Sequence, residues 1–444
     1  MEKYSFHYRT LDEIKAKIDE LGIELPMSCD VSVLSRPIVL NGQTIRNRLG
    51  IAPLEGVDSL PEGSPSELTQ RRYLRFARGG AGTIWFEAVS VVQEGRSSLK
   101  QLLLTKENVD DYKRLNDRIK EEGLKANGFA PYLVMQANHS GRYSRPNAAT
   151  LPEPIVAFND PYLEKNGPLS SEHIATDEYL HRMEDAFGEA AFLARDAGFD
   201  AYDVKSCHGY LFAEIAAAHT RTGLYGGSFE NRMRLMKNAV KSAQAAQTRE
   251  FKIVARVGVY DNIPYPYGFG MKTDGTLVMD MDEPIRMIRM LHEELGMEYL
   301  NVTIGDPHYD AYVTRPFNLD IKYMANEEPL LGVARLFRAA CEIKKNFPKL
   351  VVSASGPSYL RQFSAQAVAG AVEQGWFDQA LFGRMAFANP DFANDIIKNG
   401  ELKSNRVCLT CSKCSELIRA GVPVGCVIRD TGEYLPYYQA LHQG

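Results

Sequence analysis

The sequence predicts an α/β protein built on a closed (β/α)8 TIM barrel, and three observations predict it. From Leu49 onward, short apolar or β-branched runs alternate with longer segments of helical period. Eight such runs occur, the number that closes a barrel of this kind. No G-x-G-x-x-G follows the first of them, IAPLEG, where an open doubly wound sheet would carry its fingerprint.

Ahead of the barrel, TLDEIKAKIDELG reads as a short amphipathic helix. Thr10 and Glu13 form a capping box, Leu11, Ile14, Ile18 and Leu21 make the apolar stripe, and Gly22 stops it. The strands follow in order: LGIAP from Leu49, GTIWFEAV from Gly82, PYLVMQ from Pro131, AYDVKS from Ala201, KIVARV from Lys252, YLNVTIG from Tyr299, LVVSAS from Leu350 and DQALFG from Asp378. Helical stretches such as VDDYKRLNDRIKEEGLKANG and DEPIRMIRMLHEELG lie between them. The segment from Ala137 to Ala175, rich in Pro, Asn and Ser, is too long for a simple βα connection and is a candidate lid. No short repeat or low-complexity run appears. The expected organisation is an N-terminal extension over residues 1–33, the barrel over 34–400 and a cysteine-rich segment over 401–444.

Composition narrows the function classes. Hydrophobic residues make up 45% and charged residues 24%, the balance of a soluble globular protein. A formal net charge of −5 supplies no basic field for phosphate backbones, so no nucleic-acid partner is expected. No apolar run approaches the roughly 18 residues of a spanning helix, and MEKYSFHYRT is too polar and aromatic for a secretory signal. The expectation is a cytoplasmic protein with no membrane contact, as monomer or homo-oligomer.

Four of the seven cysteines, Cys408, Cys411, Cys414 and Cys426, fall in VCLTCSKCSELIRAGVPVGCVIRD with the spacing C-x2-C-x2-C-x11-C. An odd cysteine count without an export signal argues against a disulfide framework and for a metal or redox site. Structural zinc usually takes two separated C-x2-C knuckles. Three close thiols plus a distant fourth are how ferredoxin-type loops wrap a [4Fe-4S] cubane, with zinc or a vacant loop as the alternatives.

In a (β/α)8 barrel, chemistry is written at the C-terminal strand ends. Gln136 ends the third strand; Lys205, His208 and Tyr210 follow the fourth; Arg256 ends the fifth; His308 follows the sixth. Gly356 follows the seventh strand, and Gly383 with Arg384 the eighth, as a phosphate site needs: close backbone N–H groups and a guanidinium fork.

The stretch AGFDAYDVKSCHGYLFAEIAAAHTRTGLYGGSFENRMRL resembles the signature of the old yellow enzyme superfamily of FMN-dependent ene-reductases, with GFD, HGYL, YGGS and ENR in order. NGQTIRNRLGIAPLEG, RYLRFARGGAGTIWFEA, QANHSGR, SASGPS and LFGRMAFANPDF agree at their expected places, so the similarity covers residues 34 to 430. The four-cysteine tail is similar to the iron-sulfur site of 2,4-dienoyl-CoA reductases and trimethylamine dehydrogenases, whose further nucleotide-binding domains have no counterpart before Gly444.

The resemblance implies roles. Gln136 would bond the pyrimidine edge of the flavin, Arg256 would sit where reduced flavin gathers negative charge, and Ala52 and Pro53 would pass along the ring. Gly356, Gly383 and Arg384 would cradle the phosphate. Tyr210 matches the proton donor to an alkene conjugated with a carbonyl or carboxyl group. The family's His-x-x-His or His-x-x-Asn is here K-S-C-H, so Lys205 replaces the first histidine and His208 keeps the second. That lysine either polarises a carbonyl or grips a carboxylate, or it points into the wall and pairs with Asp203 or Glu87. His308 resembles a second acid/base histidine, and His139 shapes the lid.

Three functions fit. The first is an ene-reductase acting on a small unsaturated substrate. An amine dehydrogenase or demethylase is the second, although its flavin-anchoring cysteine would fall near Glu55 and its cationic substrate wants an aromatic cage. The third is an FMN and iron-sulfur relay. Electrons would come from NAD(P)H docking over the flavin, or from a separate reductase or ferredoxin.

Overall fold

The computed structural model describes residues 5–40, 42–147, 152–164, 166–319 and 327–443. Strands β1 (Ile38–Leu40) and β2 (Gln43–Ile45) pair antiparallel as a hairpin. Eight parallel strands follow: β3 (Leu49–Ile51), β4 (Thr83–Ser90), β5 (Tyr132–Asn138), β6 (Ala201–Val204), β7 (Lys252–Gly258), β8 (Tyr299–Thr303), β9 (Val351–Ser355) and β10 (Gln379–Phe382). They pair in sequence, and β10 returns to β3 to close the barrel. All eight predicted strands are present, and the doubly wound alternative is excluded.

Alternation along each strand divides the apolar side chains into two cores. The inner core holds Trp85, Val134, Val254, Tyr299 and Leu381, and the hairpin seats Ile38, Leu40 and Ile45 against them. The hairpin is therefore a plug across the N-terminal mouth, tied down where Tyr132 Oη donates to Gln43 Oε1 at 2.9 Å. Fully burying each such aliphatic side chain is worth about 1.5–3 kcal/mol. The outer core lies between the strands and the surrounding helices and also takes in Tyr8, Ile14, Cys408, Val424 and Tyr434, so both chain ends pack on the barrel.

A bulge in β4 breaks the alternation: between Trp85 and Ala88 the register with β5 gains one residue. Phe86 and Glu87 both face the helix Glu67–Arg78, where Phe86 stacks on Tyr73 at 3.9 Å and Glu87 pairs with Arg72 at 2.6 Å. Ala88 is re-aimed into the barrel mouth.

The helix Leu11–Glu20 forms as predicted, with Thr10 accepting from Glu13 N. The capping box is shifted, because Glu13 Oε2 accepts from Arg9 N at 2.6 Å, one residue before the expected partner. Val109–Asn127 is helical and ends at Gly128 in the left-handed region. DEPIRMIRMLHEELG is an α-helix only over Asp282–Arg289 and continues as a π-helix over Met290–Glu294. In the candidate lid, residues 148–151 and 165 lie outside the described residues; its two sides meet where Val156 bridges Ile174, and Arg142 pairs with Glu164 and Glu214 beneath. The cysteine-rich tail folds back on the barrel: Val424 N donates to Gly56 O at 2.8 Å, and Asp430 pairs with Arg71 and Arg75. Among the described residues no helix is long and apolar enough to cross a membrane.

Candidate active site

The C-terminal ends of the strands surround a cavity of about 300 Å³, at the lower end of the roughly 300–1,000 Å³ usual for small-molecule sites. Ala52, Pro53, Gln136, Lys205, His208, Tyr210, Arg256, His308, Gly356, Gly383 and Arg384 all line it. Residues spread over more than three hundred positions of sequence thus meet at one mouth, as the barrel prediction requires.

A buried carboxylate organises the floor. Asp203 in β6 is the register partner of Gln136 in β5. Its Oδ2 accepts from Gln136 Nε2 and Trp85 Nε1, each at 2.7 Å, and its Oδ1 accepts from Arg256 N at 2.6 Å. Burial pushes this acid up to about 6, against the pull of those donors. With its amide nitrogen engaged, Gln136 has its carbonyl oxygen left to accept from a ligand. The Arg256 side chain is buried, and its Nε has no hydrogen-bond partner among the described residues.

Lys205 lies two residues beyond Asp203, in the same phase of the strand, and its side chain reaches the cavity. Pairing with Asp203 or Glu87, the alternative left open by the sequence, does not occur. Asp203 already accepts from three other donors, and the β4 bulge turns Glu87 outward to Arg72. Instead Lys205 Nζ stands 3.8 Å from the centroid of the Tyr210 ring. Burial lowers the lysine's proton affinity, and it holds His208 well below its ordinary range, with Arg256 and Lys205 adding repulsion, so His208 is neutral.

The turn that presents Tyr210 is built from two consecutive left-handed residues, His208 (φ 67°) and Gly209 (φ 69°). Gly209 is required there, since a Cβ would fall 2.0 Å from Asp306 Oδ2. Asp306 also caps the helix Pro307–Thr314 by accepting from His308 N at 2.7 Å. His308 stacks on Tyr143 with centroids 3.5 Å apart, and both rings meet Tyr210 edge-on at 5.8 and 5.9 Å. Burial raises the Tyr210 phenol well above its ordinary range, with Glu55 and Asp306 adding to it, so it is held as the protonated acid. His139 is buried and does not line the cavity. It accepts from Gly141 N and bonds Tyr179 Oη at 2.6 Å, fixing the start of the lid.

At the opposite end, Gly356 (φ 92°) precedes the 3₁₀ turn Pro357–Phe363, and Gly383 precedes the short helix Arg384–Ala388. Ser358 Oγ accepts from Met385 N at 3.2 Å and ties the two turns together. Arg384 is buried; Nη2 donates to Pro316 O at 2.7 Å, while Nη1 has no partner among the described residues. Two buried guanidinium N–H groups without acceptors, Arg256 Nε and Arg384 Nη1, at two ends of one cavity are costly unless a ligand supplies oxygen. A ligand that presents acceptor oxygens to both positions, such as a carbonyl-bearing ring edge and a phosphate, would meet both.

Cys408, Cys411, Cys414 and Cys426 surround a second, small pocket, and Cys414, Arg384 and Phe387 are shared with the first. All four are free thiols, and Cys408 Sγ accepts from Thr410 N at 3.3 Å. Burial pushes Cys408 up to about 12 and Cys426 to about 11, so both are protonated. Among the described residues no group of three or more His, Cys, Asp or Glu side chains stands as a metal-holding set.

Sequence reasoning passed over Tyr143 and Asp203 as an anchor, and it named Glu55 only as the position near which a flavin-anchoring cysteine would fall. Asp203 carried a signal, an acid at an inward position of an otherwise apolar strand. Tyr143 is reached only through the lid's long-range path.

Residues 33–344 match the model of the NADH:flavin oxidoreductase / NADH oxidase family. An NADPH dehydrogenase of Bacillus pumilus (strain SAFR-032) is 30% identical over 213 residues, 47% of this chain and 59% of that protein. The match thus spans less than two thirds of that relative. Among solved structures, a 2-naphthoyl-CoA reductase complex superposes with TM-score 0.72 at 19% identity over 90% of this chain and 57% of the other. An old yellow enzyme homologue from Zymomonas mobilis gives 0.62 at 22%, over 84% and 94%. At these identities the likeness concerns the fold.

Proposed function

The chain belongs to the NADH:flavin oxidoreductase / NADH oxidase family, and on that premise we propose that it binds FMN across the barrel mouth and reduces an alkene conjugated with a carbonyl or carboxyl group. FMN, when bound, supplies hydride transfer to and from carbon. The observation that carries the reading is the pair of guanidinium nitrogens without acceptors among the described residues, Arg256 Nε and Arg384 Nη1, in one cavity with the Tyr210 phenol.

The protein's own residues account for the rest. Arg256 and the Gln136 carbonyl hold the polar ring edge, and Arg256 places fixed positive charge there; one such preorganised donor is worth about 3 kcal/mol in a site that excludes water. Gly356, Gly383 and Arg384 hold the phosphate. Ala52 and Pro53 flank the ring. Tyr210 keeps the proton that the α-carbon of the alkene takes up. Lys205, with neutral His208, stabilises negative charge as it gathers on the activating oxygen, and His308 orders the Tyr143–Tyr210 cluster at the mouth. NAD(P)H is the reductant suggested by the NADPH dehydrogenase relatives.

The four tail thiols are proposed as ligands of a [4Fe-4S] cluster, supported by their sharing one pocket and by the backbone N–H bond to Cys408. Loading would displace protons from the thiols that ligate the cluster. Iron and acid-labile sulfide analysis tests it, and zinc would replace the assignment. The enzymatic reading is tested by anaerobic photoreduction of the FMN-loaded protein, followed by mixing with enoates, enones and amines. Reoxidation by an alkene supports it, and reduction of the oxidised protein by an amine instead replaces it.

A further inference from the structure

Lys205 lines the cavity and is only 5% exposed, yet among the described residues no carboxylate pairs with it. The acids nearby are engaged elsewhere. Asp203 accepts from Gln136, Trp85 and the Arg256 amide, and Glu87 pairs with Arg72. Glu55, the one carboxylate of the described lining, accepts from Ser97 Oγ at 3.4 Å. The ammonium instead lies over the Tyr210 ring, its Nζ 3.8 Å from the centroid. A buried charge is costly unless an opposite charge meets it.

The rest of the lining has the same bias. Lys205, Arg256, Arg315, Arg384 and Arg419 stand against Glu55 alone. Even with Glu55 ionised and a phosphate monoester of about two negative charges bound, about two positive charges remain over an oxidised flavin. A cavity of that sign favours an anionic substrate and repels an ammonium one.

We propose that the substrate is an alkene conjugated with a free carboxylate, and that Lys205 is the residue that grips this carboxylate and sets the preference for it. The inference rests on the ene-reductase reading of the site and names its substrate class. An ionised carboxylate activates a neighbouring alkene poorly, because hydride addition places a second negative charge on the same two oxygens. An adjacent ammonium offsets that charge, and a neutral imidazole does not. The carboxyl carbon is bonded directly to the α-carbon, and Lys205 lies against Tyr210, so anchoring the carboxylate holds the α-carbon beside the proton donor. In the balanced reaction, hydride from the reduced flavin joins the β-carbon and the π pair of the alkene moves towards the carboxyl group. The α-carbon then takes the Tyr210 proton, and the phenolate regains one from water. The products are the saturated carboxylate and oxidised flavin.

The test is discrimination between ligands of equal shape and different charge. Titration calorimetry of the oxidised, FMN-loaded protein with butanoate and butanamide, neither of which can be reduced, should find the carboxylate bound about 10- to 150-fold tighter, the worth of one charge-assisted hydrogen bond. Lys205→Met should abolish that preference while the FMN content stays unchanged. The photoreduced wild-type protein should be reoxidised faster by but-2-enoate than by its methyl ester, and K205M should reverse the order. Equal affinity for butanoate and butanamide in wild type would overturn the assignment, and that measurement needs no variant to fold. A preference kept in K205M would overturn it as well, since the arginines of the lining would then make the selection. Tight butanoate binding with no alkene of any kind reduced would sink the ene-reductase reading and the substrate with it, leaving Lys205 as an anion anchor.

Discussion

Gly209→Ala isolates the geometry that presents Tyr210. The substitution imposes two costs. Holding a residue with a Cβ at φ 69° costs about 1–2 kcal/mol. The new Cβ would also lie 2.0 Å from Asp306 Oδ2, on a buried carboxylate pinned by His308 N, and overpacking of this kind costs about 1–3 kcal/mol. The total is about 2–5 kcal/mol. Gly128 supplies the control: it has φ 76° and nothing within 4 Å of a built Cβ, so Gly128→Ala bears the strain alone, about 1–2 kcal/mol. Urea denaturation of both variants should place G209A below G128A by the steric difference. Because Tyr210 and His208 flank the glycine, alkene-dependent reoxidation should fall as well in G209A and remain near wild type in G128A. Equal stabilities for the two variants, or full reoxidation in G209A, would refute the argument that Asp306 sets the turn.

Tyr210→Phe should slow alkene-dependent reoxidation by about a hundredfold while FMN stays bound; unchanged rates would remove Tyr210 as donor. Arg384→Ala removes a charged donor from the phosphate end worth about 1.5–3 kcal/mol, so FMN titration followed by fluorescence should show affinity weakened by about 10- to 150-fold; an unchanged Kd would place the phosphate elsewhere. Asp261 is pushed from 3.8 up to about 7 by burial and by Asp306, Asp160 and Glu214, so the stability it contributes is complete below about pH 4 and is lost as pH rises through 7. Asp261→Asn keeps an acceptor for Phe269 N, 2.8 Å away, and should gain on wild type by about 2–4 kcal/mol between pH 4 and 8; a pH-independent difference would show that Asp261 ionises freely.

The barrel was legible because its physics is periodic. Each strand is an apolar run and each helix a stripe, and among the residues that break the apolar pattern Gln136, Lys205 and Arg256 reach the cavity, while Asp203 anchors its floor. The hairpin plug went unread although Asn41-Gly42 between IVL and QTI is a strong turn signal, because three-residue strands are too short for alternation to register. The fate of Lys205 was beyond the sequence. It depended on the β4 bulge that turns Glu87 away and on the other donors that engage Asp203, both long-range facts. Tyr143 and the Glu55–Ser97 contact were hidden for the same reason: they join loops that follow different strands. The four cysteines announced a shared pocket, and their spacing does not fix how closely their sulfurs approach.

The central claim is that the cavity holds FMN with Tyr210 beside it. Its most direct measurement is the flavin released on denaturing protein purified without oxygen, identified chromatographically and compared with the same preparation of Arg256→Ala/Arg384→Ala. The account predicts an equimolar amount of FMN from the native chain and little from the double variant. A native chain that carries no flavin and takes up none when FMN is added would contradict it.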